Sequence, residues 1–259
     1  MGMGLNERLR VQLLGTGDPF AHGGRLQSCT LIEWDEHRFL VDCGATALVA
    51  LQRWKINPST LDGVILTHLH GDHAAGLPFL LLDTVIGSRD GADRPLRRTP
   101  LQIAGPVGTE AFLRSSMELF RWQEAYSAAE RRGLLEFGTL RPRETMVLGP
   151  LHVRAYPALH TPEALILRIA CAGRTLAFSG DTAWTDTLLE ASAGADLFIC
   201  QAYSFAIPQR TVLSYQVLQA HRAALTCRRL LLTHIGAEMQ QRLSEVTEEV
   251  GYDGQELFL

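Results

Sequence analysis

The chain has 259 residues, 46% of them hydrophobic and 20% charged, which is ordinary for a globular protein and enough to bury a sizeable core. A formal net charge of −4 gives no overall pull toward nucleic acid or anionic membrane, and no apolar run approaches the ~18 residues that span a bilayer. The first ten residues lack the pattern of a secretion signal, and the five cysteines are scattered and odd in number, which suits a reduced, cytoplasmic chain without disulfides.

Short β-like runs come first, at 11–14, 30–34 and 38–42, separated by turn chemistry. A helical segment at 45–54 and a strand at 63–66 lead into Thr67-His68-Leu69-His70-Gly71-Asp72-His73. The spacing then predicts a buried helix over 76–84 and a short strand ending at Ile103. Gly105-Pro106-Val107-Gly108 follows, before a helix over 109–120 that Thr109 is placed to cap. The second half repeats the theme, with strands at 151–157, 165–170 and 175–179, a helix at 184–191 and a strand at 197–200. A helix at 214–225, a strand at 230–233 and a terminal amphipathic helix from Ala237 complete it.

Two β-rich halves with helices outside predict one α/β domain over 1–259. Its expected architecture is a four-layer αββα sandwich of two mixed sheets. Two segments lack a pattern and read as solvated surface, with a substrate-facing lid as the sharper alternative. One is 86–99, with Arg89, Arg94, Arg97, Arg98, Asp90, Asp93 and Pro95. The other is 121–132, charged, with Trp122 and Tyr126 interleaved.

The histidine run carries the chemistry. Three imidazoles and a carboxylate fall within residues 68–73, straight after an apolar strand. Core histidines would each need a buried partner, whereas two nearby divalent ions would use all four groups. His68 and His70 are two apart at the end of an extended segment and can face one ion. Asp72 and His73 can reach a second. The missing ligands are sought at other strand ends, and His160, Asp181 and His234 each follow an apolar strand. Asp42, before Cys43-Gly44, is expected to hold a metal-bound imidazole in place rather than a metal. His22, His37, His152 and His221 lack this context, although the Phe20–Gly24 loop around His22 could border the site.

In their order, Leu14-Gly15-Thr16-Gly17, Val41-Asp42-Cys43-Gly44, the 67–73 run, His160, Ser179-Gly180-Asp181-Thr182 and His234 resemble the metallo-β-lactamase-fold hydrolases. The resemblance covers nearly the whole chain. It implies one ion held by His68, His70 and His160, a second held by Asp72, His73 and His234, and Asp181 bridging them. It also implies two Zn²⁺, with Mn²⁺ or iron as substitutes, a nucleophilic hydroxide between them, and Asp72 handling the proton passed to the leaving group. Formal counting leaves a net charge of about +1 at such a centre, suited to an anionic or polarised ester.

Within that superfamily the chain is most similar to ribonuclease Z, with two departures. Cys200-Gln201 stands where that family has a histidine-glutamate pair, and Val212-Leu213 stands where it has a later catalytic histidine. The tRNA-gripping arm of bacterial relatives, placed between the positions of His160 and Asp181, is replaced here by 20 residues that read as a hairpin. The expected substrate is therefore a small phosphodiester or other small anionic ester. Nucleic acid is disfavoured and tRNA 3′ processing is the alternative. A lactonase, thioesterase or β-lactamase activity and a non-enzymatic scaffold remain open. Such relatives are often homodimers, and Glu256-Leu257-Phe258-Leu259 offers apolar residues either to a neighbour or to its own fold.

Overall fold

The computed structural model describes residues 8–86, 97, 99–207 and 209–259. In the first half β1 (Arg10–Gly15), β2 (Cys29–Trp34) and β3 (His37–Val41) pair antiparallel, and β4 (Gly63–Ile65), β5 (Leu101–Gly105) and β6 (Leu135–Thr139) extend the sheet in parallel. The helices between them are α1 (Ala47–Arg53), the short α2 (Gly71–Ala74), α3 (Leu77–Ile86), α4 (Thr109–Leu119) and α5 (Gln123–Arg131).

The second half repeats this order. β7 (Thr145–Leu148), β8 (Leu151–Pro157), β9 (Leu165–Cys171) and β10 (Arg174–Phe178) pair antiparallel. β11 (Leu197–Gln201), β12 (Leu230–Thr233) and β13 (Glu249–Val250) then add in parallel, with α6 (Thr187–Ser192), α7 (Tyr215–Ala220) and α8 (Ala237–Gln241) as connections. Finally β14 (Glu256–Phe258) returns to the first sheet and pairs antiparallel with β1. The result is two seven-stranded mixed sheets, ordered β14-β1-β2-β3-β4-β5-β6 and β13-β12-β11-β10-β9-β8-β7. This is the expected αββα sandwich.

Alternation of side chains along each strand sorts the core into layers. Val11, Leu13, Phe39, Val41 and Ile65 of the first sheet meet Leu167, Leu176, Phe178, Leu197 and Ile199 of the second. On the outer face of the first sheet Leu14, Leu31, Leu40 and Val64 pack against α1, α3, α4 and α5. On the outer face of the second, Ala177, Phe198, Cys200 and Leu232 pack against α6, α7 and α8. All five cysteines are free and buried among these layers. Among the described residues no helix is long and apolar enough to cross a membrane.

Several expectations are corrected. The terminal amphipathic helix is only Ala237–Gln241, after which the chain enters β13 and β14. Thr109 is not the cap of α4. Gly108, at φ 97°, holds that position, and the Thr109 hydroxyl donates to Pro106 O at 2.8 Å. The charged 121–132 segment is mostly helix α5, whose Tyr126 and Ala129 are buried against the first sheet while its charges face solvent. In the 86–99 segment, residues 87–96 and 98 lie outside the described residues, so the expectation for Arg89, Asp90, Asp93, Arg94, Pro95 and Arg98 is not addressed. Arg97 is not on the surface: it is 2% exposed and donates to the carbonyls of Leu61 and Pro58. Of the tail residues, for which both destinations were open, Leu257 is buried in the intersheet core and Leu259 packs against it, while Phe258 is 46% exposed.

Candidate metal centre

The strand ends converge on one edge of the sandwich. β4 delivers Thr67 and the histidine run, β8 leads to His160, β10 to Asp181 and β12 to His234. The turns that follow are sharp. Asp42, Gly180 and His234 all have left-handed backbones, at φ 59°, 53° and 58°. For the two non-glycine residues this conformation is costly, and such outliers concentrate where side-chain direction matters. The loop bearing Asp72 packs backbone to backbone against the Cys43-Gly44 turn. A Cβ on Gly44 would lie 2.3 Å from Asp72 O, and one on Gly76 would lie 2.2 Å from Gly44 O. Only glycine allows that approach, and it fixes where the ligand-bearing turn sits.

All seven sequence-predicted residues meet there, in two groups whose side-chain donor atoms lie within 4.8 Å of one another. His68, His70 and His160 form one group; Asp72, His73, Asp181 and His234 form the other. Asp181 spans both. Its Oδ2 lies 3.9 Å from His68 Nε2 and 3.9 Å from His160 Nε2, while its Oδ1 lies 3.3 Å from His73 Nε2 and 3.3 Å from His234 Nε2. Asp72 Oδ2 is 3.0 Å from His234 Nε2 and 3.4 Å from His73 Nε2. His70 Nδ1 and His160 Nε2 are 3.0 Å apart.

Three of these atoms test whether a metal fits. His68 Nε2, His73 Nε2 and Asp181 Oδ1 are buried and make no hydrogen bond among the described residues. Orphaned buried nitrogen and oxygen atoms are costly and uncommon. Here all three point into one cradle of imidazole and carboxylate donors, the set zinc prefers. The residues fit divalent metal binding.

The electrostatics agree. Burial raises the pKa of Asp72 and Asp181, yet the surrounding imidazoles outweigh it and hold both carboxyls well below the usual carboxylate range. Burial, reinforced by neighbouring imidazoles, pushes His68 well down, toward the neutral form that ligates metal. Burial also opposes charge on His73, but Asp181 and Asp42 override it and push that ring well up.

Supporting groups hold the donors from behind. Asp42 Oδ2 accepts from His73 Nδ1 at 2.7 Å, and Oδ1 accepts from Thr67 N at 2.8 Å and Thr67 Oγ1 at 2.9 Å. The Thr67 hydroxyl lies 3.1 Å from His68 Nδ1. His160 Nδ1 donates to Thr211 O at 2.7 Å. Sequence reading missed Thr211, because a backbone carbonyl leaves no residue signal. It also missed the work of Gln201. That buried side chain accepts through Oε1 from Thr182 N and Leu213 N, both at 3.1 Å, and so braces the loops on either side of Asp181. Of the four other histidines, His37 pairs with Asp62, His221 stacks on Trp184 at 3.9 Å, and neither they nor His152 and His22 join the clusters.

With this geometry in view, the relatives are informative. A family model described as the anti-Pycsar protein Apyc1 matches residues 9–253. Ribonuclease Z of Mycobacterium bovis is 31% identical over 199 residues, spanning 74% of this chain and 69% of that protein. Among solved structures, the metallo-β-lactamase-fold protein YhfI of Bacillus subtilis superposes with a TM-score of 0.76 at 22% identity, covering 97% of this chain and 100% of that one. The short form of human tRNase Z gives a TM-score of 0.75 at 21% identity over 96% of this chain and 98% of its own.

Proposed function

The chain belongs to the Apyc1 anti-Pycsar family, within the ribonuclease-Z-like hydrolases of the metallo-β-lactamase fold, and on that premise we propose that it is a dinuclear metal-dependent phosphodiesterase acting on a small phosphodiester. The observation that carries this reading is Asp181, whose two carboxylate oxygens face different histidine groups. A carboxylate so placed suits a bridge between two cations, with His68, His70 and His160 on one side and Asp72, His73 and His234 on the other. Two divalent ions held there would lower the pKa of water and stabilise the charge that builds on phosphorus oxygens.

The protein's own groups do the rest. Asp42, Thr67 and Thr211 hold the ligand imidazoles in orientation, which keeps the donor atoms converged without substrate. Asp72, which borders His73 and His234, is the carboxylate proposed to handle the proton passed to the leaving group.

A small substrate is favoured over tRNA by what fills the 20 residues between His160 and Asp181. Most of that stretch is the tight β9–β10 hairpin, turned at Ala172-Gly173 with φ 50° and 71°. It offers no arm with which to neutralise many phosphates, and the formal charge is −4. Gln201, in place of an acidic residue, is occupied in bracing backbone. The 31% identity to a ribonuclease Z favours tRNA 3′ processing as the second reading. The free, buried cysteines support a reducing compartment.

The test is metal analysis together with a substrate panel. About two Zn or Mn per chain, with hydrolysis of bis-p-nitrophenyl phosphate and of nucleotide-sized phosphodiesters but not of a precursor tRNA, supports the proposal. Turnover of a lactone alone, or a folded protein that binds no metal, refutes it.

A further inference from the structure

The connection between β11 and α7 meets both groups of candidate ligands. At its start the Tyr203 ring lies 6.0 Å from that of His234, tilted by 46°, and near its end Thr211 O accepts from His160 Nδ1 at 2.7 Å. It is fixed more firmly than a plain connection requires. Tyr203 N donates to Leu213 O at 3.0 Å and Tyr215 N donates to Ser204 O at 2.8 Å. The Glu238 carboxylate accepts from the backbone N–H groups of Phe205, Ala206 and Ile207 at 3.2, 3.4 and 3.1 Å. The Arg242 guanidinium lies 3.7 Å from the Phe205 ring centroid.

The turn after His234 is shaped to receive Tyr203. Gly236 N donates to Tyr203 O at 3.0 Å, and a Cβ on Gly236 would lie 2.5 Å from that oxygen and 3.1 Å from Tyr203 Cε2. Only glycine allows the ring edge so close. The same turn is pinned from the other side: Ile235 N donates to Thr16 O at 3.2 Å, and Asp253 Oδ1 accepts from Thr16 N at 2.9 Å. His234 thus sits between Gln201 Nε2, 3.4 Å from its Nδ1, and the Tyr203 ring. Backbone and ring of Tyr203 are both held, yet its hydroxyl makes no hydrogen bond among the described residues. The residue is half-buried. A phenylalanine ring would pack equally well there, and tyrosine hydroxyls withdrawn from water usually find a partner.

We propose that Tyr203 is a substrate-binding residue whose hydroxyl donates a hydrogen bond to a non-bridging oxygen of the phosphodiester. The proposal rests on the phosphodiesterase reading above. A phenol can donate as well as accept, and a bond to an anionic oxygen is stronger than one between neutral groups. A donor held in place before the substrate arrives loses little freedom on forming the bond. Gln201, two residues earlier, is occupied by Thr182 N and Leu213 N and leaves this task to Tyr203. No proton is transferred: the hydroxyl keeps its hydrogen and releases the oxygen with the product.

The test is Tyr203→Phe, which keeps the ring beside His234 and Gly236 and removes one oxygen atom. On metal-loaded protein, the dissociation constant of inorganic phosphate, read by calorimetry, is expected to rise about tenfold or more. KM for bis-p-nitrophenyl phosphate should rise by a similar factor, with kcat changing less than KM. Metal content and melting temperature, measured in parallel, should match the wild type. A ring that only packs against His234 predicts no change in either constant. A rise of less than about threefold in phosphate dissociation constant or KM overturns the assignment of Tyr203 alone. So does loss of metal in the variant, or wild-type protein that hydrolyses the ester yet binds no phosphate. Wild-type protein that hydrolyses no phosphodiester overturns the phosphodiesterase reading and this assignment with it.

Discussion

Asp42 Oδ2 receives the Nδ1–H of His73 at 2.7 Å, while the other oxygen of the same carboxylate ties down the backbone of Thr67 at 2.8 Å. One buried acid thus sets both the tautomer of His73, whose Nε2 is left facing Asp181, and the entry of the chain into the ligand run. Asp42→Asn keeps the left-handed backbone at φ 59°, which asparagine tolerates, but replaces one accepting oxygen with a donor. Metal affinity is expected to fall about 10- to 100-fold with the fold intact. Competition against a chromophoric chelator measures this, and an unchanged affinity would show that His73 needs no such support.

Asp181→Asn tests the bridge directly. One carboxylate faces two histidine groups, so its loss should remove at least one metal per chain and most of the activity. Elemental analysis of the purified variant decides the matter. A variant that retains two metals and wild-type turnover would remove Asp181 from the centre.

Gly180 has φ 53°, and a Cβ there would sit 2.9 Å from Thr67 Cβ and 3.0 Å from Leu165 O. Gly180→Ala should therefore cost about 1–3 kcal/mol, from left-handed strain and from contact with the turn that carries the ligands. Urea unfolding monitored by circular dichroism reads the difference. A midpoint within experimental error of the wild type would mean that the Thr67 turn can yield.

Chelation should destabilise the protein. His68 Nε2, His73 Nε2 and Asp181 Oδ1 make no hydrogen bond among the described residues, and ions bound by this folded cluster stabilise the folded chain. Saturation at 100 times the dissociation constant contributes about 2.7 kcal/mol. The melting temperature should drop by several degrees in EDTA and recover with excess Zn²⁺ or Mn²⁺. A melt indifferent to chelator contradicts the metal assignment.

Stability should also decline in alkali. Burial, aided by the Asp42 charge, pushes the Cys43 thiol up to about 12, and burial pushes Cys200 up to about 12. An unfolded cysteine ionises near ~8.5. The folded value is the raised one, so this contribution is fully present below about pH 8.5 and is lost as pH rises toward 12. Urea midpoints at pH 7, 9 and 10 should fall in that order, with a shallower decline in Cys200→Ala. The same burial predicts that a thiol reagent at pH 7 modifies the native protein far more slowly than the unfolded chain.

That the candidate ligands come together was legible because they follow strands whose apolar runs are plain in the sequence: Gly63–Ile65 before His68, Leu151–Pro157 before His160, Arg174–Phe178 before Asp181, Leu230–Thr233 before His234. The elements that escaped lie where burial is partial. β6 and β7 are sheet edges with solvent on one side, so Leu135–Thr139 and Thr145–Leu148 lack a full apolar pattern. In α5 the charged residues of Gln123–Arg131 obscure a narrow buried face at Tyr126 and Ala129. The braces escaped for a different reason. Gln201 meets Thr182 and Leu213, and His160 meets the Thr211 carbonyl, only after distant segments are folded together.

Asp253 has a consequence for the order of assembly. It anchors both ends of the loop from Thr16 to Leu26, more than two hundred positions earlier in the chain, and β14 closes the sheet edge beside β1. Such sequence-distant pairing forms slowly and late. On the ribosome, the Thr16–Leu26 loop lacks these three bonds until residue 253 has emerged, so a nascent chain could present every candidate ligand before the loop beside Ile235 is fully fastened. The loop's final fastening would then come only after translation has passed the last of these contacts.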